Sequence, residues 1–514
     1  MNSLIKKIEQ SPINTLHAVI ILLAMLLAAQ MQYIQHGWIN PDSILYFESA
    51  KLIAVGQWKE ALQVWNWPLY PILIATVHKI TFLGIQASAQ VLNVLFFGLT
   101  AFSFIQIIRL AGGKQLTMVA GALILFSSQY IVGDVLEMLM RDEGFWAFYL
   151  TSIVFFIRFY QGFKLKDALL WQVSAIIATL FRIEAITYLV LLPTLVLVCM
   201  NADLKTRIRY FLMSHSLNLF LALALILFLA LHGDFSMKNL GRLQEVFTLN
   251  LYEELTRQLF SHAAIMSNDV LGKYLEEFAV QGLLLTFIYV MIVKAISTTG
   301  LINFIMAVFT VKNRSALIES KSFQVLTAIA LISLMNMALI ITKVFVLSSR
   351  YVVGLAFILM IFAAFQFATI LMRSTGKSEN SQRKQWLAVA LIVFMTLSIV
   401  KNILPKAEGY NYMQDAAAWI KTYNKDNKPV FYDETRVRYY LNEPYSRNAE
   451  FNWPAIKSAI ENGSIKNYDI LMISHSKKRP EQEVLIAEQL PEYSEIKRFS
   501  QSKEKKSIVI YRKN

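Results

Sequence analysis

Long apolar runs, each near the length of a membrane span, alternate along this chain with short polar segments. About 20 mostly apolar residues in a helix cross the hydrocarbon core. The pattern predicts spans at 16–34, 86–109, 115–132, 145–163, 168–182, 186–201, 211–232, 286–311, 323–344, 350–372 and 386–404. The stretch 281–311 is long enough to hold an interfacial helix as well. The expected fold is a polytopic α-helical membrane protein with about eleven transmembrane helices. The pattern changes after residue 404. Residues 412–423, 454–461 and 481–489 read as helices, and 430–432, 470–474 and 507–512 as short strands. That alternation predicts a small soluble α/β domain over 405–514, following a membrane domain over 1–404.

The segment 35–85, between the first two spans, is itself patterned. Asp42 follows Pro41, where it could cap a helix beginning there. Amphipathic stretches follow at 43–55 and 57–66, with Trp58, Trp65 and Trp67. Trp-rich amphipathic helices favour the headgroup region, so one reading is a structural loop anchored by its aromatics.

Composition supports the membrane assignment. Of 514 residues, 56% are apolar and 16% charged, against about 25% charged in a typical soluble domain. The formal net charge is +14, but the cations punctuate the apolar runs: Lys6 and Lys7, Lys164 and Lys166, Lys205 to Arg209, Lys312 and Arg314, and Arg373 to Lys384. In an eleven-span arrangement all of these fall on the side of the N-terminus, as the positive-inside rule asks. The N-terminus is then cytoplasmic, and 405–514 lies on the other side. The distribution argues against a nucleic-acid partner, which needs cations along one face. Cys199 is the sole cysteine, so no internal disulfide is possible. No small-residue cleavage site follows the first apolar run, which reads as a retained helix.

Charges at membrane depth are costly and often functional. Four clusters map to the expected outer side. Asp42, with Tyr46 and Glu48, is a helix cap or a general base. Asp134, Glu137, Arg141, Asp142 and Glu143 solvate a helix end or orient a substrate. Arg182 and Glu184 make a structural ion pair or bind an anionic headgroup. Arg350, in Ser348-Ser349-Arg350-Tyr351, breaks the positive-inside pattern together with Lys343. Snorkelling would account for Arg350, and so would a phosphate ligand, which Arg grips bidentately. The seven histidines show no metal-ligand spacing, and there is no phosphate-binding Gly-rich loop, which argues against an ATP-driven pump.

Several segments together resemble the GT-C superfamily of polyprenyl-phosphate-dependent glycosyltransferases. They are PDSILYFESA around Asp42, PLYP at Pro68–Pro71, RDEGFW from Arg141, RIEA from Arg182, and SSRYVVG from Ser348. The resemblance covers roughly residues 10–405. The relatives it suggests are the protein O-mannosyltransferases and the lipid A aminoarabinose transferases. It implies that Asp42 is the general base, and that Asp142 or Glu143 orients the acceptor or the attacking group. It implies that Arg350 and Tyr351 contact the lipid-linked phosphate, with Arg182 and Glu184 also at the donor phosphate site and Arg182 joining Arg350 against the leaving charge. Arg182 and Glu184 fit a family pattern after the fifth span, with Ile183 in place of its Pro. Trp65-Asn66-Trp67 stands where close relatives carry a charged residue before the Pro.

The implied donor is a sugar on a polyprenyl monophosphate. The implied acceptor is a hydroxyl of an extracytoplasmic glycan, lipid or protein, and transfer in one displacement inverts the anomeric centre. A monophosphate leaving group requires no metal; Asp42, Glu143 and His78 are the groups that would hold a divalent ion. The implied location is the bacterial inner membrane, with membrane lipids as partners. Two rival readings are a lipid-linked glycan ligase, which would use an Arg-rich loop such as 233–285 with Arg242 and Arg257, and a flippase or transporter, which would need polar residues at mid-membrane and repeats.

Overall fold

The computed structural model describes residues 2–34, 39–231, 251–374, 379–404, 411–443, 453–501 and 505–514. Arg242, His36 and part of the basic segment 373–384 lie outside these residues. The chain divides into two compact units. One holds residues 1–29, 91–136 and 141–403; the other holds 30–90, 137–140 and 404–514.

The first unit is helical. Each expected span coincides with a helix or with a pair of helices. Among the described residues, six helices are long and apolar enough to cross a membrane, or eight if two bent pairs each count as one span. The expected eleven also counted Asp142–Gly162, Leu165–Phe181 and the broken segment 183–199, which do not meet that test. The breaks have local causes. Gln115–Phe126 ends where Ser128 accepts a bond from the Ile131 N–H and starts the π-helical turn Gln129–Val135, a 42° bend. Leu204–Ser214 and Ser216–Leu231 meet at 62°. The expected span 286–311 is two helices, Ala279–Thr299 and Leu301–Lys312, parted at Gly300 with φ 87°. Only Gly takes that conformation without strain.

The second unit contains the C-terminal sheet, of order β1-β2-β4-β3. β1 is Val430–Tyr432, β2 Ile470–Ser476, β3 Tyr493–Ser500 and β4 Lys506–Lys513. β1 and β2 are parallel; the other pairs are antiparallel. Successive residues of a strand point to opposite faces, and both faces here are apolar. Leu471, Ile473, Val509 and Tyr511 pack with Ile456, Ile460 and Ile486 of helices Trp453–Glu461 and Glu481–Gln489. Ile470, Met472, Ile508 and Ile510 pack with Met413, Ala416 and Val437 of helices Tyr412–Tyr423 and Thr435–Leu441.

The same unit includes the segment expected to belong with the membrane helices. Helix Pro41–Ala54 packs against Leu69–Thr81 and Trp58–Val64, and Tyr46 is held edge-on by Trp65 and Tyr70. It also meets the C-terminal domain. Phe47 lies against Tyr439, the Lys51 ammonium sits over the Tyr439 ring, and Glu48 is 4.0 Å from the buried Arg438. The compact units part at 403/404, and residues 30–90 and 137–140 are grouped with the tail.

Candidate active site

In the first unit the ends of three helical segments bring together charges that lie far apart in sequence. Helix Asp142–Gly162 begins with Asp142 and Glu143 in its first turn, where the helix dipole favours acids. Helix Leu165–Phe181 ends at Arg182, which is extended, and a single 3-10 turn, Ile183–Ala185, follows. Helix Ser349–Arg373 begins next to Arg350.

Arg182 is the hub. Its Nη1 donates to Asp142 Oδ1. Its Nε and Nη2 fork onto the two oxygens of Glu184, at 3.4 and 3.3 Å. Phe145 and Tyr351 lie against its guanidinium, at 5.7 and 5.0 Å from their ring centres. The side chains of Arg182 and Asp142 are only 4% and 3% exposed, so each is a costly charge matched by the other. Burial alone would raise the Glu184 carboxyl, but Arg182 holds it below its ordinary value.

Asp142 also engages Arg350, whose Nη2 donates to Oδ2 at 3.4 Å. One aspartate thus bridges two arginines. Arg350 differs from Arg182 in exposure, at 30% of its side chain. No side chain caps the start of its helix at Ser348, so backbone N–H groups and a guanidinium stand at one helix end. Such an end suits an anion.

The structure brings together Asp142, Arg182, Glu184, Arg350 and Tyr351, which were expected from sequence, and it separates Asp142 from Glu143. Glu143 is fully buried beside Asn93, and among the described residues no well-formed hydrogen bond reaches its carboxylate oxygens. The next residue, Gly144, lets the Phe181 ring pack where a Cβ would sit 2.3 Å away.

Asp42 belongs to the other unit. It does not cap its helix as expected. Asn40 does, accepting from the Asp42 N–H at 2.9 Å, with Pro41 in the first turn. Asp42 is half-buried. His78 binds the Leu83 carbonyl through Nδ1 at 2.5 Å. No cluster of three or more His, Cys, Asp or Glu able to hold a metal occurs among the described residues. Lys343, the other cation that broke the charge pattern, pairs with Glu254 at 3.7 Å.

Sequence reasoning missed the residues that hold Glu184. Asn336 Nδ2 donates to the Glu184 carbonyl and, at 2.7 Å, to Thr187 Oγ1. An Asn inside the apolar helix Ser320–Val344 was the available signal. Tyr188, bonded to Ser333 at 2.8 Å, is a further polar group packed behind the cluster.

No family model matches this chain, and no curated protein does. Solved structures do. ArnT from Cupriavidus metallidurans, solved bound to undecaprenyl phosphate, aligns over 97% of both chains with a TM-score of 0.48 and 12% identity. The arabinofuranosyltransferase AftD from Mycobacteria aligns over 98% of this chain with a TM-score of 0.50 and 11% identity, and a mutant form of it with 0.52 and 12%. This chain spans 40% and 42% of those two AftD chains. The AftD alignments include nearly every residue here, and at that identity they speak for the fold. This chain therefore shares the fold of the aligned part of the AftD arabinofuranosyltransferase structures.

Proposed function

We propose that this protein is an integral membrane glycosyltransferase. It moves a sugar from a polyprenyl-phosphate donor to an acceptor hydroxyl of a glycan, lipid or protein outside the cytoplasm. The observation that carries this reading is Arg350: partly exposed, at an uncapped helix start, and tied through Asp142 to a buried second arginine. That is a preorganised place for a phosphate whose charge grows as the sugar leaves. Donors fixed before the reaction stabilise developing charge without reorganisation.

In this account Arg350 contacts the leaving phosphate. Asp142 positions Arg350, and Arg182 and Glu184 hold Asp142. Tyr351 covers Arg182. Asp42 takes the proton of the acceptor hydroxyl as its oxygen attacks the anomeric carbon. The carbon–oxygen bond to phosphate breaks in the same step, so the centre inverts. A positioned base contributes typically about 10² to 10⁴-fold. Asn40, not Asp42, caps this helix. Glu143, unpaired with either arginine, is assigned to acceptor orientation.

The test is transfer from a polyprenyl-phosphate sugar pool by protein reconstituted in lipid, comparing wild type with Asp42→Asn. Loss of transfer with donor binding retained supports the assignment. Equal transfer by both would remove Asp42 from the mechanism. No transfer by wild type from any donor in the pool would favour the ligase or the transporter.

A further inference from the structure

A second feature lies at the opposite end of the helix that carries Arg350. An open groove of about 660 Å³ runs between Leu301–Lys312, Ser349–Arg373 and Glu379–Ile403. Each helix presents one face to it, at positions 302, 305, 306 and 309; 366, 369, 370 and 373; and 387, 390, 391 and 394. That spacing, i, i+3, i+4 and i+7, is one stripe of an α-helix. Most of these side chains are apolar, and Ile305, Phe309, Leu387 and Phe394 are exposed. Two cations, Arg373 and Lys384, line the groove as well. Neither has an acidic partner among the described residues. Segment 373–384 (RSTGKSENSQRK) carries four cations and one acid, Glu379.

Arg373 ends a 25-residue helix that starts beside Arg350. At 1.5 Å per residue the two ends are about 37 Å apart, beyond the thickness of the hydrocarbon core. The cations therefore reach the headgroup level of the leaflet opposite the candidate active site, and the apolar stripes below them stand in hydrocarbon. Basic pockets between membrane helices suit anionic headgroups.

We propose that this groove is a binding site for an anionic phospholipid, with its phosphate between Arg373 and Lys384 and an acyl chain along the apolar stripes. The occupant is a lipid of the membrane, distinct from the donor. The site stands independently of the transferase reading, since it uses none of the same residues.

The experiment is binding of fluorescent phosphatidylglycerol to the full-length protein in nanodiscs of phosphatidylcholine. Wild type is compared with the double variant Arg373→Gln/Lys384→Gln, and with a control, Lys205→Gln/Arg209→Gln, which removes two cations elsewhere. At about 1 kcal/mol per cation, the groove variant should bind roughly 30-fold more weakly and the control unchanged. Ile305→Trp, which keeps the charges and fills the groove, should also weaken binding. Equal weakening by groove and control variants would overturn the proposal, as would displacement of the probe by a polyprenyl phosphate but not by unlabelled phosphatidylglycerol.

Discussion

Asp142 in the membrane unit and Asp433 in the C-terminal domain are both buried, 2% and 7% exposed, yet their surroundings are opposite in kind. Asp142 meets two guanidiniums. Among the described residues Asp433 accepts from neutral donors: the Ser474 N–H at 2.9 Å and the Ser474 hydroxyl at 2.6 Å. Burial pushes Asp433 up to about 7, against the pull of the Ser474 bonds. Glu184, partner of a cation, is held low. The comparison separates two uses of a buried acid. Paired with arginines, it fixes their guanidiniums in place. Paired with a serine, it ties β1 to β2, and its protonation tunes the stability of the sheet.

The comparison can be broken most severely at Arg182. Arg182→Met leaves Asp142 and Glu184 buried without their main cation, and should cost about 3–5 kcal/mol together with all transfer activity. Thermal unfolding in detergent would register it. Arg182→Lys should recover part of the stability but little activity, since an ammonium cannot fork onto Glu184 while reaching Asp142.

Arg350→Ala should do the reverse. The side chain is partly exposed and its bond to Asp142 is long, at 3.4 Å, so stability should move by only about 1 kcal/mol. Transfer should fall about 10²- to 10³-fold, the usual loss for one charge-stabilising donor. If stability fell as far as in Arg182→Met, Arg350 would be a structural member of the cluster.

Asp433 sharpens the other side. The folded domain keeps a proton that the unfolded chain loses above about pH 4. Stability from this group is therefore full at low pH, declines as pH rises from about 4 to about 7, and is flat above, by on the order of a few kcal/mol in total. Amide exchange of residues 470–476 should accelerate between pH 5 and pH 8, and Asp433→Asn should flatten the difference. His475, which burial holds below its ordinary value, shifts the opposite way in a neighbouring range; the comparison of wild type with Asp433→Asn isolates the aspartate.

Gly144 should give the smallest change in transfer. A Cβ there meets the Phe181 ring at 2.3 to 2.7 Å, so Gly144→Ala should cost about 1–3 kcal/mol and displace Arg182, the next residue after Phe181. A loss of transfer larger than the loss of stability implies would mark that displacement.

Much of this was legible in sequence where one physical period dominates. The apolar runs located the helices, and short apolar stretches located β1, β2 and β4. β3 escaped because it is an edge strand, mostly exposed, with a bulge between Glu495 and Lys497. Thr435–Leu441 escaped because its seven residues carry little periodic signal. The site residues stood out as charges at helix ends, but their pairing did not. Arg182 and Asp142 are 40 positions apart and Arg350 and Asp142 208 apart. Nor could local sequence choose between Asp142 and Glu143. One helical step of about 100° sends adjacent side chains to different faces, and only packing tells which face holds the arginines. The capping of Pro41–Ala54 was misread by two residues, because Asn40 and Asp42 are both good caps and the Pro at N1 decides in favour of Asn40.

The central claim is that Arg350, held by Asp142, receives the phosphate of a lipid-linked sugar. Its most direct test is the rate of sugar transfer from a polyprenyl-phosphate donor by wild type and Arg350→Ala, in lipid and at saturating acceptor. The account predicts transfer by wild type and a loss of at least about 10²-fold in the variant, with its fold intact. Transfer undiminished in Arg350→Ala would contradict it.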